Sequence, residues 1–304
     1  MQPTFSIVIP TYCRPKQIAR LLASLTALRY PRERWEALVV NDGGEPVPAG
    51  VAAECKSRID LKLLDQPRTG PGGARNFGVA CAGGEFIAFL DDDCEASADW
   101  LGAMAGRLRD SSGLLCGGRI VNRLHDNPYA EATQFLLDYL YERRSPTEYI
   151  GGFFMTNNLA LRRDDFLRLG GFDPALRFGE DRDLCHRWAV SGGRFAFVPE
   201  AVVLHAHWLN FRKFLKLHLQ YGAGSGSYRA ACARDGRPKP QSKSPGWYGG
   251  LLSSGFRRRA GWRGAQLSLL LGASQVAALA GMIFHRALLP PLPGTTARSA
   301  SASH

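Results

Sequence analysis

Residues 5–28 read FSIVIPTYCRPKQIARLLASLTAL, and this stretch decides the fold class. Its first part, Phe5 to Ile9, is a short apolar and β-branched run that predicts a buried strand. Pro15 then suits the first turn of a helix, and apolar residues recur after it at helical spacing. These residues are Ile18, Leu21, Leu22, Leu25 and Leu28. The stretch therefore predicts one strand followed by one helix.

The same alternation continues through the first half of the chain. Short apolar runs bounded by turn residues occur again, with helix-period patterns between them. The further predicted strands are Leu38 to Val40, Leu61 to Leu64 and Phe86 to Leu90. Strands that alternate with helices usually form a parallel sheet, so we expect an α/β fold with a mostly parallel central sheet flanked by helices.

Polar residues follow three of these predicted strands. Thr11 follows the first strand, Asp42 ends the second, and Asp91, Asp92 and Asp93 follow the fourth. Ligands of open α/β sheets bind outside the carboxyl ends of the strands. We therefore expect these side chains to face one crevice.

The second half of the chain has a less regular pattern. It predicts helices from Tyr129 to Tyr141 and from Glu180 to about Val190, and strands at Leu159 to Leu161, Phe195 to Val198 and Val202 to Leu204. We expect one domain over residues 1–221, followed by a basic Gly/Ser/Pro-rich linker over 222–264. An apolar helix over 265–290 and a disordered tail over 291–304 complete the expected organisation.

The positive charge of the chain is concentrated in one segment. Between His205 and Arg263 there are 12 Lys and Arg residues against the single Asp235, which accounts for the whole net charge of +11. The remaining chain is neutral and contains no nucleic-acid-binding motif, so we expect no nucleic-acid partner. The seven scattered cysteines include no CxxC pair, and residues 1–15 lack a signal-peptide pattern. These features favour a cytoplasmic location.

Residues 267–284 contain no charged side chain and are flanked by arginines on both sides. As a helix this stretch would reach roughly 27 Å, which is the lower limit for crossing a bilayer. The basic segment before it would suit anionic lipid. We therefore expect association with the cytoplasmic face of a membrane, by crossing it or lying on it. The alternative is a buried helix packed on the domain.

Asp91 and Asp93 would lie on one side of an extended segment, with Asp92 on the other side. Two carboxylates that point together suit Mg²⁺ or Mn²⁺. Such a metal could neutralise the charge that develops on a diphosphate leaving group. The alternative is that Asp93 caps the helix predicted near Asp99 to Arg109, while the other two carboxylates are solvated.

Asp42 and Arg75 are candidates for binding a nucleotide. Asp42 lies in Val-Val-Asn-Asp-Gly-Gly, where its carboxylate could accept hydrogen bonds from a base or ribose, although the same run is an ordinary turn signal. Arg75 lies in the glycine-rich run from Gly70 to Asn76, which precedes a predicted helix start that could bind an anion.

Taken together, these segments resemble the family 2 glycosyltransferases, an inverting group with the GT-A fold. The resemblance covers roughly residues 5–221 and depends on several motifs in a fixed order. The motifs are Ser6 to Tyr12, Val40 to Gly44, Gly70 to Asn76, Leu90 to Asp93, Gly170 to Asp173 and Gly179 to Leu184. Two positions depart from the family pattern: Asn41 replaces a common acid, and Cys94 replaces a proline or another small residue. We expect neither departure to affect the chemistry.

The resemblance implies a role for each matching residue. Thr11, Asp42 and Arg75 would contact the nucleoside, and Asp91 and Asp93 would hold ribose, diphosphate and a metal. Asp181 would be the catalytic base, which the reaction requires because a sugar hydroxyl must lose its proton as it attacks. The alternative for Glu180 and Asp181 is that acids near a helix N-terminus complement its dipole. Asp183 is a second candidate for the base.

Two other segments supply further candidates. His205 and His207 would lie on one face of an extended segment, and in some relatives a histidine here reaches the metal. The alternative is that each is a structural histidine. The segment from Gly151 to Asn158 resembles an acceptor-side segment, so Asn157 or Asn158 could meet the acceptor or donor sugar. Equally, the segment could be a glycine-rich connection.

The sequence therefore predicts a metal-dependent inverting glycosyltransferase of the hexosyltransferase type. Its donor would be a nucleotide-diphosphate sugar, UDP- or dTDP-linked, and its acceptor a hydroxyl of a glycan or of a lipid-linked or cell-envelope molecule. One alternative is a sugar nucleotidyltransferase, but such enzymes have a glycine-rich loop where this chain has Pro10 to Arg14. Another is a catalytically silent binding scaffold.

Overall fold

The computed structural model describes residues 4–109, 113–124, 126–142, 153–206, 208–240 and 242–288. These residues form two compact units, the first from residues 4–121 and 153–205 and the second from 122–142 and 206–288. His207, the pair Gly151 and Gly152, and the predicted tail at 291–304 lie outside the described residues.

Strands and helices make up most of both units. In chain order, they are β1 Phe5–Thr11, α1 Pro15–Thr26, β2 Trp35–Asp42, α2 Ala49–Lys56, β3 Leu61–Gln66, α3 Pro71–Ala80, β4 Phe86–Phe89, β5 Cys94–Ala96, α4 Trp100–Leu108, β6 Leu114–Asn122, α5 Pro128–Glu142, β7 Leu159–Arg162, α6 Arg163–Arg168, α7 Glu180–Val190, β8 Arg194–His205, α8 Phe211–Arg234, α9 Pro245–Arg258, α10 Gly261–Ile283 and α11 His285–Leu288.

The first unit is built on one sheet with the strand order β3-β2-β1-β4-β7-β6-β8-β5. The strands β3, β2, β1 and β4 pair in parallel, as the alternation of strands and helices predicted. The pairings β4–β7, β6–β7 and β5–β8 are antiparallel. The sheet is therefore mixed, which the sequence pattern did not show because hydrophobic periodicity identifies a strand but not its direction.

Two registers in this sheet determine where the candidate site forms. Val8 of β1 pairs with Phe89 of β4, so the residues that follow these two strands emerge side by side. Cys94 of β5 pairs with His205 of β8, which joins the aspartate segment to the end of a strand more than a hundred residues away. The carboxyl edge of the sheet thus collects polar residues from distant parts of the chain.

The strand β8 differs from the prediction of two separate strands, at Phe195 to Val198 and Val202 to Leu204. Pro199 interrupts the apolar pattern between them, but in the structure Pro199 is exposed and the strand continues through it. Proline is tolerated in a strand where its missing N–H faces solvent. The two predicted strands are therefore one.

The core of the first unit lies between the sheet and its helices. Ile18, Leu21, Leu22 and Leu25 of α1 are all buried, as their helical spacing predicted. They belong to the same apolar cluster as the side chains of β1, β2 and β4. This packing fixes the strand ends, and with them the polar residues that follow.

The second unit is helical and differs from the predicted organisation. The expected domain end at residue 221 falls inside α8, and most of the expected linker at 222–264 lies in α8 and α9. Glycines of α8 and α10 allow these two helices to pack closely. A Cβ atom at Gly222 would lie 1.9 Å from the carbonyl oxygen of Ala278 in α10, and one at Gly281 would lie 1.9 Å from that of Leu219 in α8.

Helix α10 includes most of the predicted apolar segment. Of the helices in the described residues it is the one long and apolar enough to cross a membrane, with a mean hydropathy of 1.5 over its best window. One side of α10 packs against α8 and α9 through Leu267, Leu271 and Gly281. One face of this helix is therefore packed against its neighbours, and the opposite face is open.

Candidate active site

The three aspartates lie in a turn at the end of β4. The backbone N–H of Cys94 donates to the carbonyl oxygen of Asp91 at 3.1 Å, so residues 91–94 are not the extended segment that we expected. A polar run in solvent-facing positions favours a turn over continued pairing. The expected separation of Asp92 from its neighbours nevertheless occurs, because Asp92 is buried whereas Asp91 and Asp93 are partly exposed.

Asp92 is held by the last side chain of β1, Thr11, and by Arg14 in the turn after it. It accepts hydrogen bonds from the hydroxyl of Thr11 at 2.8 Å and from Nη1 of Arg14 at 2.9 Å. The same Arg14 atom lies 3.1 Å from Oδ2 of Asp93. Burial raises the pKa of Asp92 to about 6, against the opposing effects of Arg14 and Thr11. Thr11 therefore supports the aspartate turn, and Arg14 is a site residue that the sequence reasoning missed.

Arg75 connects two carboxylates inside the first unit. Only 3% of its side chain is exposed, Nη2 donates to Oδ1 of Asp91 at 2.6 Å, and Nη1 donates to Oε1 of Glu180 at 2.9 Å. Its guanidinium carbon lies 5.6 Å from the centre of the Phe172 ring. The structure thus places Arg75 between Asp91 and Glu180 instead of in an open position for a nucleoside.

Three acidic residues occupy the start of α7. Burial raises the pKa of Glu180 to about 7, with Arg75 opposing the shift. Burial also raises the pKa of the neighbouring Asp181, with Arg182 opposing it. Oδ1 of Asp181 accepts a hydrogen bond from the backbone N–H of Arg182 at 2.8 Å, and the side chain remains partly exposed.

Asp183 differs from Asp181 in its surroundings. It is fully buried, and its Oδ2 accepts from Nε of Arg187 at 2.8 Å. Arg187 in turn donates to the carbonyl oxygens of Leu169 at 2.8 Å and Gly171 at 2.7 Å. Asp183 therefore orients an arginine that fastens the loop before α7, whereas Asp181 remains partly exposed.

The carboxylate of Asp42 accepts hydrogen bonds from Gln66 at the end of β3 and from the loop that precedes α3. Its Oδ1 accepts from the backbone N–H of Thr69 at 2.7 Å, from Nε2 of Gln66 at 2.8 Å and from Oγ1 of Thr69 at 3.2 Å. Its Oδ2 accepts from the backbone N–H of Gly70 at 2.8 Å, where a φ of 87° requires glycine. Asp42 thus holds the loop that leads to Arg75.

His205, one of the two histidines proposed as a metal ligand, lies beside Asp93. Its Nε2 is 3.2 Å from Oδ1 of Asp93. The ligand atoms of Asp93, Cys94 and His205 all lie within 4.8 Å of one another. Burial would lower the pKa of His205, but Asp93 outweighs that effect and the pKa is raised. Cys94, the residue after Asp93, was not expected at this cluster, and its strand pairing with His205 brings the histidine there.

The cluster offers donors that fit a divalent metal. A carboxylate and an imidazole are common ligands of Mn²⁺-type ions, whereas the buried thiol of Cys94 is a softer donor. Asp91, which was expected to share the metal with Asp93, instead pairs with Arg75. The residues present therefore fit a metal held by Asp93 and His205. The nearby Asp91 is paired with Arg75.

Asn157 and Asn158 are both buried at the start of β7. Asn158 accepts from Nε1 of Trp100 at 2.9 Å and donates to the carbonyl oxygens of Arg119 at 3.0 Å and Ala201 at 2.9 Å. These bonds fasten β7 to its neighbours. Oδ1 of Asn157 is buried and has no hydrogen-bond partner among the described residues. Of the two, Asn157 is the one with an unused acceptor.

The site thus combines an aspartate turn at the edge of a mixed sheet, a buried arginine bridge and a partly exposed acid at the start of α7. The sequence model described as glycosyl transferase family 2 matches residues 6–170, and the chain belongs to this family. The sequence resemblance is thereby confirmed.

Characterised relatives agree with this family. The chain is 32% identical over 229 residues to the pre-mycofactocin glycosyltransferase of Mycobacterium tuberculosis, covering 72% of this chain and 46% of that protein. It is 32% identical over 210 residues to the succinoglycan biosynthesis protein ExoO of Rhizobium meliloti, covering 66% of this chain and 59% of that protein. The chain thus spans only about half the length of these relatives.

Solved structures share the fold. The mannosyltransferase PcManGT of Pyrobaculum calidifontis, in complex with GDP-Man and Mn²⁺, superimposes with a TM-score of 0.59 and 19% identity, over 96% of this chain and 77% of that one. TarS of S. aureus in complex with UDP-GlcNAc gives a TM-score of 0.55 and 15% identity, over 90% of this chain and 81% of that one. At this identity the likeness establishes the GT-A fold.

Proposed function

We propose that this protein is a metal-dependent inverting glycosyltransferase of the hexosyltransferase type. It would move a sugar from a nucleotide-diphosphate donor, UDP- or dTDP-linked, to a hydroxyl of its acceptor. The observation that supports this most is the buried bridge from Asp91 through Arg75 to Glu180, the residue next to Asp181. It links the aspartate turn to the residue next to the proposed base through two short contacts.

Asp181 is the proposed base. A carboxylate whose pKa is raised by burial accepts a proton more readily near neutral pH than an ordinary aspartate does. It would take the proton of the acceptor hydroxyl while that oxygen attacks the anomeric carbon from the face opposite the leaving diphosphate. The displacement therefore inverts the anomeric carbon.

Different residues would bind the metal and shape the donor site. Asp93 and His205 would hold Mg²⁺ or Mn²⁺, and when bound the metal would supply positive charge opposite the diphosphate. Thr11 would act by fixing Asp92, and Asp42 by fixing the loop before α3. Arg75 would hold Asp91 at the edge of the site. The described structure gives no support for a role of His207, which stays a sequence-based proposal.

The acceptor and the cellular location are further proposals. One relative is named for succinoglycan biosynthesis and another as a poly(ribitol-phosphate) beta-N-acetylglucosaminyltransferase, and these names favour a cell-envelope glycan or a lipid-linked acceptor here. The apolar and basic segment favours association with a membrane at its cytoplasmic face. Asn157, with its unused buried acceptor, is the better candidate of the two asparagines for a sugar contact.

Calorimetry of UDP, dTDP and GDP binding, with and without Mn²⁺, tests the donor side of the proposal. We expect at least one nucleotide to bind in the presence of metal and to bind much less after chelation. Release of that nucleotide from its sugar donor, measured with an acceptor-rich membrane extract, tests transfer. Nucleotide binding without any turnover would favour the silent scaffold. Release of diphosphate from a nucleoside triphosphate and a sugar phosphate would favour the nucleotidyltransferase.

A further inference from the structure

The outer face of α10 is apolar from the residue after Arg263 to the end of the helix. Between Arg263 and Arg286, the exposed residues of this segment are five large apolar side chains and no polar one. They are Leu269 at 74% exposure, Val276 at 70%, Leu279 at 54%, Ile283 at 61% and Phe284 at 60%. A helix on a soluble surface normally exposes charged and polar residues there. This pattern marks a face that contacts something other than water.

The spacing of these residues explains the continuous face. Trp262, Leu269, Val276 and Ile283 are separated by seven residues each, which is close to two helical turns. Trp262, at the start of α10, is 70% exposed. Tryptophan is enriched where proteins meet the headgroup region of a membrane.

Helix α9 extends the same surface. Tyr248, Leu252 and Phe256 recur every four residues on one side of α9 and are exposed by 41%, 39% and 58%. A Cβ atom at Gly272 of α10 would lie 3.6 Å from the side chain of Leu252, so the two apolar faces meet at this point. We call the combined set of residues on α9 and α10 the α9–α10 face.

The charges around this face are positive. Arg257 and Arg263 lie near one end of α10 and Arg286 at the other, all three are exposed, and in the described part of the chain none pairs with a carboxylate. By contrast, Arg258 and Arg259 are engaged by Asp138 and Glu131 of α5. No acidic residue follows Asp235 in the sequence. A second copy of this face would therefore meet like charges, whereas an anionic surface would complement them.

The inner side of α10 opposes insertion across a bilayer. Gly222 and Gly281 bring α10 into backbone contact with α8, which contains Arg212, Lys213 and Lys216 in its first two turns. Ser268 of α10 donates to the carbonyl oxygen of Leu252 at 2.7 Å. If α10 crossed the membrane with α8 attached, those charges would enter hydrocarbon at high cost.

We propose that the α9–α10 face is a docking surface for an anionic phospholipid bilayer. Helix α10 would lie in the plane of one leaflet, with its apolar side chains in the acyl region and Arg257, Arg263 and Arg286 at the phosphates. The inference rests on the membrane association proposed above. Helix α10 would then neither cross the membrane nor be buried in the protein. One side of it would pack against α8 and α9, and the other side would be embedded in the leaflet.

Flotation of the full-length protein with vesicles tests this docking. The vesicles would be phosphatidylcholine alone, and phosphatidylcholine with about one quarter phosphatidylglycerol as the anionic lipid. We expect binding to the anionic vesicles, weaker binding at high salt and release by alkaline carbonate. The triple variant Leu269→Gln, Val276→Gln, Ile283→Gln should bind about tenfold less, because it removes apolar side chains that are exposed in solution.

Control variants test whether the loss of flotation is specific to the α9–α10 face. Leu167→Gln with Val190→Gln removes two apolar side chains of the first unit that are each 52% exposed, and this variant should float like the wild type. Arg257→Gln with Arg263→Gln should lose the preference for anionic lipid, whereas Arg20→Gln with Lys56→Gln, two exposed cations of the first unit, should keep it.

Several outcomes would overturn the proposal. Equal flotation of the triple variant would show that another surface binds. Resistance to carbonate would show a crossing helix. A concentration-dependent dimer that the triple variant abolishes, without vesicle binding, would show that a second copy covers the face. Nucleotide binding by calorimetry, measured on the same variants, separates these failures from failure of the sugar-transfer proposal.

Discussion

Nη2 of Arg75 lies 2.6 Å from Oδ1 of Asp91, and the arginine that makes this contact is almost completely buried. The other terminal nitrogen of Arg75 binds Glu180. A buried charge is stable only when it is paired, so the one cation and its two carboxylates depend on one another. The arrangement fixes the distance between the aspartate turn of β4 and the start of α7.

Arg75→Met should therefore destabilise the first unit and abolish transfer. It leaves Asp91 and Glu180 without their shared cation, and breaking a buried pair in this way costs about 3–5 kcal/mol. Chemical denaturation measures the loss. Arg29→Met is the matched control, because Arg29 and Asp99 form an exposed pair whose removal costs at most about 1 kcal/mol. Equal effects of the two changes would contradict the structural role of the bridge.

Asp181→Asn should lower kcat by about 10²–10⁴-fold while donor binding persists, because the base acts only on the acceptor. Steady-state kinetics and calorimetry on the same preparation separate the two effects. Asp183→Asn should instead lower the free energy of unfolding, since Asp183 is buried and binds Arg187. Asp164→Asn, at an exposed acid of α6, is the control for a lost surface carboxylate. Unchanged transfer by the Asp181 variant would move the base to another residue.

Asp93→Asn should weaken metal-dependent nucleotide binding by about tenfold or more, and His205→Gln should weaken it in the same direction. Both changes remove a donor atom from the cluster that the structure assembles. Calorimetry at several Mn²⁺ concentrations distinguishes a loss of metal affinity from a loss of nucleotide affinity. Asp99→Asn, an exposed aspartate nearby in sequence, should have no effect. Retention of full metal dependence in the Asp93 variant would exclude the assignment.

His218 should make the second unit sensitive to acid. It is buried beside Phe214, and burial lowers its pKa from 6.5 to about 4. Between these pH values the unfolded chain binds a proton that the folded chain does not, so stability falls as pH falls, by about 3 kcal/mol in total. His218→Gln lacks this contribution. The difference in unfolding free energy between wild type and variant, measured from pH 7 to 4, should therefore change with pH, and a constant difference would refute the prediction.

Gly222→Ala should destabilise the second unit, because the added methyl group would meet the backbone of Ala278. Overpacking of this kind costs about 1–3 kcal/mol when the neighbour cannot yield. Gly249→Ala in α9 is the matched control: nothing lies within 4 Å of its Cβ position, and alanine is the better helix former by about 1 kcal/mol. Thermal unfolding should shift down for the first variant and up for the second. The same sign for both would exclude close packing at Gly222.

The first half of the fold could be predicted because its signals are local. The spacing of Ile18, Leu21, Leu22 and Leu25 is a property of consecutive residues, and the same residues are buried in α1. The second half was less predictable, since Gly222 was assigned to a flexible linker although it contacts another helix. A glycine permits both a flexible backbone and close helix packing, and the sequence alone does not distinguish these two roles.

The candidate site, too, was predictable in part. By itself the sequence determined which residue types follow the strands: Thr11, Asp42 and the aspartates at 91–93 must emerge at one edge because parallel strands end there. The tertiary structure alone decided their partners. The pairing of Cys94 with His205 brings that histidine to Asp93, and the fold places Arg75 between Asp91 and Glu180. These contacts join residues that are far apart in the chain, and no local pattern specifies such a pairing.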